Sequence, residues 1–295
     1  MAGAIRARLV ALAKAIGWSL AFVFIGCLPI LIASVVIAFW MKRTGNDAIP
    51  LDTSDWRLLL GQAVLLLAGF LPATWLIGVK RLGLTAAELR WRPDAEAKGG
   101  GWFARGLALG AAAAAATKAL GVLTGGAEWV RDSGSFGSYL VRAGLSFLLL
   151  APAAFSEEVI FRGLPLILFS RVLGRGTAIV VLAILFGVIH ESNPHSSALG
   201  VGNIVLAGVL LGVAFYTPGG IWTAFGTHLG WNAALAALAA PVSGIASDVP
   251  WLDYHPGTDL WLTGGAFGPE GGVLATVAIT LAVVVAMRWT RQDTP

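Results

Sequence analysis

Charge is what this chain has least of: Asp, Glu, Lys and Arg make up 12% of its 295 residues, about half the share usual in a soluble domain. With 57% apolar residues and a mean hydropathy of +0.79, an ordinary soluble fold is excluded and a polytopic membrane protein is indicated. Cysteine is nearly absent. Cys27 stands alone, which rules out an intrachain disulfide and every Cys-rich metal site. Phe24-Ile25-Gly26-Cys27 has a faint look of a lipoprotein-processing site, but the apolar run continues to Trp40, so a buried cysteine is expected. There is no internal repeat, no soluble domain and no long linker. Nor is there a basic groove with interleaved aromatics, so no nucleic-acid partner is expected.

What is there is a series of apolar runs. Arg6, Arg8 and Lys14 precede a stretch from Ile16 to Met41 that is too long for a signal-peptide core and long enough to span. Further spans are expected at 58–79, 102–123, 138–160, 176–192, 199–217, 219–240 and 271–288, giving an all-α protein with eight transmembrane helices, two of which could be re-entrant. An even number puts both termini on one side. Lys80, Arg81, Arg90, Arg92, Lys98 and Arg105 lie between spans two and three, Arg171 and Arg175 between four and five, and Arg288 and Arg291 at the end, and these loops are expected in the cytoplasm. Residues 241–270 carry Asp248, Asp253, Asp259 and Glu270 without Lys or Arg, as a solvated outer loop would, although Lys42, Arg43 and Arg57 dissent from this orientation. Thr85-Ala-Ala-Glu88 has the spacing of a capping box before Pro93, so 85–92 is expected as a short surface helix with Trp91 and Arg92 as interfacial anchors. Glycine-rich loops are expected at 98–101, 217–220 and 264–272.

Three polar clusters interrupt the apolar helices. The first is Ser156-Glu157-Glu158-Val159-Ile160-Phe161-Arg162-Gly163. Each of its charges would cost about 2.5–3.5 kcal/mol at the centre of a bilayer. Glu158 and Arg162 are four apart and can pair on one helix face, while Glu157, turned by about 100°, points elsewhere. The second cluster is Phe186-Gly-Val-Ile-His190. The third is His228-Leu-Gly-Trp-Asn232, whose His and Asn share a face. Singly, each could be an interhelical hydrogen bond or a structural ion pair. Three such costs in neighbouring spans point instead to one shared cavity, since two histidines and a carboxylate are a minimal set for activating a water or holding a metal.

These residues resemble the CPBP (CAAX protease and bacteriocin-processing) family of Abi-type intramembrane proteases, which includes the eukaryotic CAAX prenyl endopeptidase. The family motifs Glu-Glu-x-x-x-Arg, Phe-x-x-x-His and His-x-x-x-Asn occur here in order as Glu157 to Arg162, Phe186 to His190 and His228 to Asn232. Phe161, Gly163, Asn193-Pro194, Gly208, Gly212, Ile221 and Trp222 agree at flanking positions. The resemblance divides the chain into N-terminal helices (1–137), a catalytic core of helices four to seven (138–240) and an outer loop with a final helix (241–295). It implies a membrane-embedded endopeptidase, with a bacterial cell membrane as its setting, the lipid bilayer around it and a membrane-associated peptide or protein as substrate, prenylated or not.

In family terms Glu157 is the general base, His190 helps hold the attacking water, Glu158 is locked by Arg162, and His228 and Asn232 donate to the oxyanion. A second version of the site places a divalent metal such as zinc on Glu157, His190 and His228. A zincin is excluded because the position after His190-Glu191 that needs the second histidine is Pro194, with His195 one place too far. No serine sits in a rhomboid-like setting. Asp253, His255 and Asp259 are expected to be solvated rather than a metal cluster. A proton-coupled transporter or channel and a non-catalytic immunity or scaffold protein are the rivals. The inverted repeats expected of the first are missing.

Overall fold

The computed structural model describes residues 2–44, 56–93, 99–247 and 249–290; Lys98, Asp248 and Arg291, counted above, lie outside them. Helices dominate because backbone N–H and C=O groups in hydrocarbon must be satisfied within the segment itself. In chain order they are α1 (Ala2–Thr44), α2 (Trp56–Ala73) with a π-helical continuation Thr74–Arg81, α3 (Gly99–Leu123), α4 (Phe136–Arg162), α5 (Leu164–Leu173), α6 (Arg175–Ile189), α7 (Ala198–Phe215), α8 (Ile221–Ala237), α9 (Leu260–Thr263) and α10 (Val273–Thr290). A two-stranded antiparallel sheet joins β1 (Ala127–Val130) to β2 (Asp253–Pro256). The chain is an all-α polytopic membrane protein, as its composition implies.

Each of the eight anticipated spans corresponds to a helix, but six are long and apolar enough to cross a membrane: α1, α2 with its continuation, α3, α4 running into α5, α7 and α10. The other two fall short. α6 has 15 residues and α8 has 17, about 22 and 26 Å at 1.5 Å per residue, against a hydrocarbon core of about 30 Å. A helix enclosed by protein need not match the lipid, and α8 is packed against α3, α4 and α7. Conversely, α1 has 43 residues, about 64 Å. The Arg81 guanidinium lies over the Trp18 ring, so the turns carrying Arg6, Arg8 and Lys14 extend beyond the end of α2. The separate helix α5 is not apparent from hydropathy. The break comes at Gly163, where a Cβ would run into the Val159 carbonyl, and Pro165 then sits in the first turn of α5, where its missing N–H does no harm.

α3 and α8 make the closest helix pair. Gly106 faces Thr223 and Thr227, Gly110 faces Thr227 and Trp231, Gly226 faces Phe103, and Gly230 faces Leu107. The two numberings rise together, so the helices run parallel, and at these four glycines a methyl group would strike backbone of the other helix. Small residues at this seam let the backbones approach.

The ends of α8 are fixed by segments that the sequence assigns to the surface. Residues 85–92 form one turn closed by the expected capping box, with Glu88 N–H donating to Thr85 Oγ1 (3.1 Å) and Thr85 N–H to Glu88 Oε2 (2.9 Å). That turn docks on α7 and α8. Arg90 donates to the Phe215 and Thr217 carbonyls (2.9 and 2.6 Å) and accepts from Ile221 N–H (3.0 Å), while Trp222 donates to the Trp91 carbonyl (2.9 Å). Trp91 thus anchors α8 through its carbonyl, in addition to any contact with lipid. At the opposite end Trp129 Nε1 and Tyr139 OH donate to the Leu238 and Ala237 carbonyls (3.4 and 3.1 Å), which the helix C-terminus leaves without intrahelical partners.

Two further expectations are corrected. Gly99–Gly101 belong to the first turn of α3 rather than to a loop. Of the segment 241–270, Asp253 and His255 form an exposed pair (3.1 Å), but residues 263–272 are largely buried and Glu270 is only 6% exposed. The glycines explain this. At Gly264 (φ +83) and Gly268 (φ +97) the chain turns in the left-handed region and packs on its own backbone and on the Pro241 carbonyl, a conformation open chiefly to glycine.

Arg92 and His255 lie towards opposite ends of the α3/α8 pair. Accessibility reporters at these positions are expected on opposite sides of the membrane, and labelling both from one side would contradict the topology.

Candidate active site

α4 presents its two carboxylates in different directions. Glu158 is fully buried, and its Oε1 accepts from Arg162 Nη1 (3.2 Å) one helical turn away. The same oxygen lies 2.8 Å from Nδ1 of His228 on α8, a contact that needs the approach of α8 to α4 and is invisible in the sequence. Arg162, 2% exposed, also donates to the Gly208 carbonyl on α7 (3.3 Å), and its guanidinium lies 4.4 Å from the Phe186 ring centroid on α6. One arginine therefore ties its own helix to two other helices of the core. Leaving Glu158 buried without it would be costly, since breaking a buried pair removes about 3–5 kcal/mol.

Glu157 faces the other way. Its side chain keeps 30% of its exposure, and Oε2 stands 3.7 Å from His228 Nε2 and 3.9 Å from His190 Nε2. That oxygen has no hydrogen-bond partner. His190 caps the C-terminus of α6, and its Nδ1 lies 2.6 Å from the Phe186 carbonyl. A carbonyl can only accept, so Nδ1 carries the proton and Nε2 is left with its lone pair toward Glu157 in the neutral ring. His228 is oriented in the same sense, with Nδ1 against Glu158 and Nε2 toward Glu157. The Phe186 ring packs on both imidazoles, at 4.6 and 6.1 Å between centroids.

The structure thus brings five of the six motif residues into one hydrogen-bonded and ion-paired cluster. Asn232, one turn beyond His228 on α8, is half-buried and makes no side-chain hydrogen bond among the described residues. Three positions outside the six also take part. Phe186 orders the two imidazoles, the Gly208 carbonyl receives Arg162, and Glu270 accepts from Trp231 inside the third motif (3.1 Å). Glu270 was hidden by its place in an acidic loop. The signal for it was the density of glycine from 264 to 272, which marks close packing rather than solvent. A separate recess of about 480 Å³ is lined by His195, Ser197, Leu199, Trp261 and Phe267, among others, and by none of the six motif residues.

Among the described residues, no three His, Cys, Asp or Glu side chains are arranged to hold a metal ion. Donors on one tetrahedral zinc, with bonds of about 2.0–2.2 Å, would sit about 3.3 Å apart. Glu157 Oε2 is farther than that from both imidazoles. As placed, Glu157, His190 and His228 do not fit a metal.

Arg162→Ala is expected to lower thermal stability in detergent by an amount corresponding to about 3–5 kcal/mol, with loss of any activity the site carries. Full stability together with full activity would show that Glu158 is held by something else.

Residues 139–234, about a third of the chain, match the family model described as type II CAAX prenyl endopeptidase Rce1-like. No curated protein and no solved structure matches. The matched segment holds all six motif residues, and with the six long apolar helices it marks an integral membrane protein. Over α4 to α8, then, the chain is similar to the Rce1-like type II CAAX prenyl endopeptidases, in line with the resemblance of its three motifs.

Proposed function

We propose that the protein is an intramembrane endopeptidase that hydrolyses a peptide bond in a membrane-associated substrate, using Glu157 as general base within a core of residues 138–240. The observation that carries this reading is the division of the carboxylate pair. Glu158 Oε1 is occupied by Arg162 and His228 and its Oε2 is buried without a partner, while Glu157 Oε2, also unbonded, is the oxygen that faces two imidazole Nε2 atoms. The match of residues 139–234 to a prenyl endopeptidase family supports the same chemistry. The Lys and Arg of most loops favour both termini in the cytoplasm, against Lys42, Arg43 and Arg57.

In this mechanism a substrate water donates one hydrogen to Glu157 and the other to His190 Nε2, so that its oxygen lone pair points at the scissile carbonyl. As the oxygen–carbon bond forms, Glu157 takes the proton and negative charge develops on the carbonyl oxygen. His228 Nε2–H and Asn232 Nδ2 donate to that oxyanion. An imidazolium at His228 suits this role, because Arg162 offsets only one of the two carboxylates and a second cation makes the cluster neutral. The tetrahedral intermediate then collapses, the carbon–nitrogen bond breaks, and Glu157 returns its proton to the leaving amine.

The test uses purified protein in lipid nanodiscs with a farnesylated CAAX peptide and an unprenylated transmembrane peptide, with products read by mass spectrometry. Cleavage of either supports the endopeptidase, and the pair decides whether a prenyl group is needed. Glu157→Gln is expected to abolish cleavage while leaving peptide binding intact. Asn232→Ala should slow cleavage by up to about 10²–10³-fold, the usual cost of one oxyanion donor. Chelators should leave the rate unchanged. Loss of cleavage on chelation, restored by stoichiometric metal, would assign the water to a metal on Glu157, His190 and His228 instead. Failure to cleave any peptide would favour a transporter or scaffold.

A further inference from the structure

The second and third motifs are connected by a chain of hydrogen bonds that runs through the segment after α8. The His190 carbonyl accepts from Asn193 N–H (3.1 Å). Asn193 Nδ2 donates to the Ser243 carbonyl (3.0 Å). Ser243 donates to Glu270 Oε2 through its N–H and its hydroxyl, the latter at 3.0 Å. Glu270 Oε1 in turn accepts from Trp231 Nε1–H (3.1 Å), and Trp231 is the residue before Asn232. The path has Glu270 at its centre.

Glu270 is itself held from behind. Its carbonyl and that of Gly272 accept from Asn203 Nδ2 of α7 (2.8 and 2.9 Å), and Thr276 of α10 donates to Asn203 Oδ1 (2.6 Å). Burial raises the pKa of its carboxyl, and the bonds from Ser243 and Trp231 pull it back. A buried carboxylate is an expensive way to fill space. Phe267, four residues on from Thr263 in the same segment, packs in one cluster with Phe186 and Ile204, so the segment meets the second motif from two directions.

We propose that Glu270 is a positioning residue for the reaction, fixing the rotation of α8 about its axis so that His228 and Asn232 stay in register with His190 and Glu157. Trp231 is the lever. It is 6% exposed, and its indole N–H bond to Glu270 is the only polar tie on its side chain among the described residues. A side chain sits about 5–6 Å from the helix axis, so a 20° rotation of α8 would carry Asn232 about 2 Å. Misplacement by about 1 Å can cost about 10²-fold in rate. Glu270 touches no reacting atom, and its effect is transmitted through Trp231 and Ser243.

This inference rests on the endopeptidase reading, and the experiment separates the two. Full-length wild type, Glu270→Gln, Trp231→Phe and the double variant are compared in nanodiscs, first for cleavage of the farnesylated CAAX peptide. A glutamine oxygen can still accept from Ser243, but its amide N–H₂ then faces the Trp231 N–H, donor against donor. Glu270→Gln is expected to lose about 10–100-fold in kcat with KM within about twofold and the melting temperature nearly unchanged. Because Trp231→Phe removes the opposing donor, the double variant should be no slower than the worse single one. Amide hydrogen exchange over 226–234 is the second arm, and needs no substrate. Glu270→Gln should speed exchange there while leaving α2 and α10 as protected as before.

Additive losses in the double variant, or a lower melting temperature with unchanged kcat per folded molecule, would overturn the positioning role. So would unchanged exchange over 226–234. If the wild type cleaves no peptide, the endopeptidase reading fails, and the exchange arm still decides whether Glu270 holds α8.

Discussion

Everything in the site depends on keeping one carboxylate charged inside an apolar bundle. Glu158 has no exposure, and it is stabilised by a guanidinium at 3.2 Å and an imidazole at 2.8 Å on the same oxygen. Such an arrangement adds little net stability over apolar packing, because desolvating the charges offsets most of their attraction. What it provides is geometry. Arg162 reaches from α4 to the carbonyl of α7 and the aromatic ring of α6, and His228 brings α8 to the same point. Four helices are thereby registered on one ion pair, and Glu157, next in the chain, is left facing both Nε2 atoms.

The rest of the fold can be seen as support for that registration. α8 carries two motif residues but is too short to span alone, so its position is set by protein on every side. Glycine on both helices brings α3 within backbone contact, Arg90 and Trp91 fix the N-terminal end, and Trp129 and Tyr139 close the C-terminal end. α6 and α7 also meet closely. At Gly208 and Gly212 of α7 an added methyl group would press on Ala183 and Ile179 of α6. Dense packing of this kind transmits small displacements instead of absorbing them, which is what a site built from four separate helices requires.

Much of this was legible from local spacing. The i to i+4 rule pairs Glu158 with Arg162 and turns Glu157 away, and the capping box at Thr85 and Glu88 is present as read. Contacts between helices distant in sequence were not legible. Nothing in residues 157–162 says that His228 will meet Glu158, and nothing in the acidic segment after α8 says that Glu270 will be buried against Trp231. Hydropathy also hid α5, because the apolar run that follows Gly163, Leu164 to Phe169, is too short to register as a span. The strands β1 and β2 are four residues each and lie far apart in the chain, so neither carries a periodic signal of its own. The family match covers the part where local spacing is most informative, α4 to α8.

The division of labour between the adjacent carboxylates is the centre of the account, and a pair of double-mutant cycles on thermal stability tests it most directly. One cycle combines Glu158→Gln with Arg162→Met, the other Glu157→Gln with Arg162→Met. Residues that share a buried network are coupled by about 0.5–3 kcal/mol. The account predicts coupling in the upper part of that range between Glu158 and Arg162, and less than about 0.5 kcal/mol between Glu157 and Arg162. Equal coupling in the two cycles would mean that Arg162 holds both carboxylates alike, and that Glu157 is not the one left for chemistry.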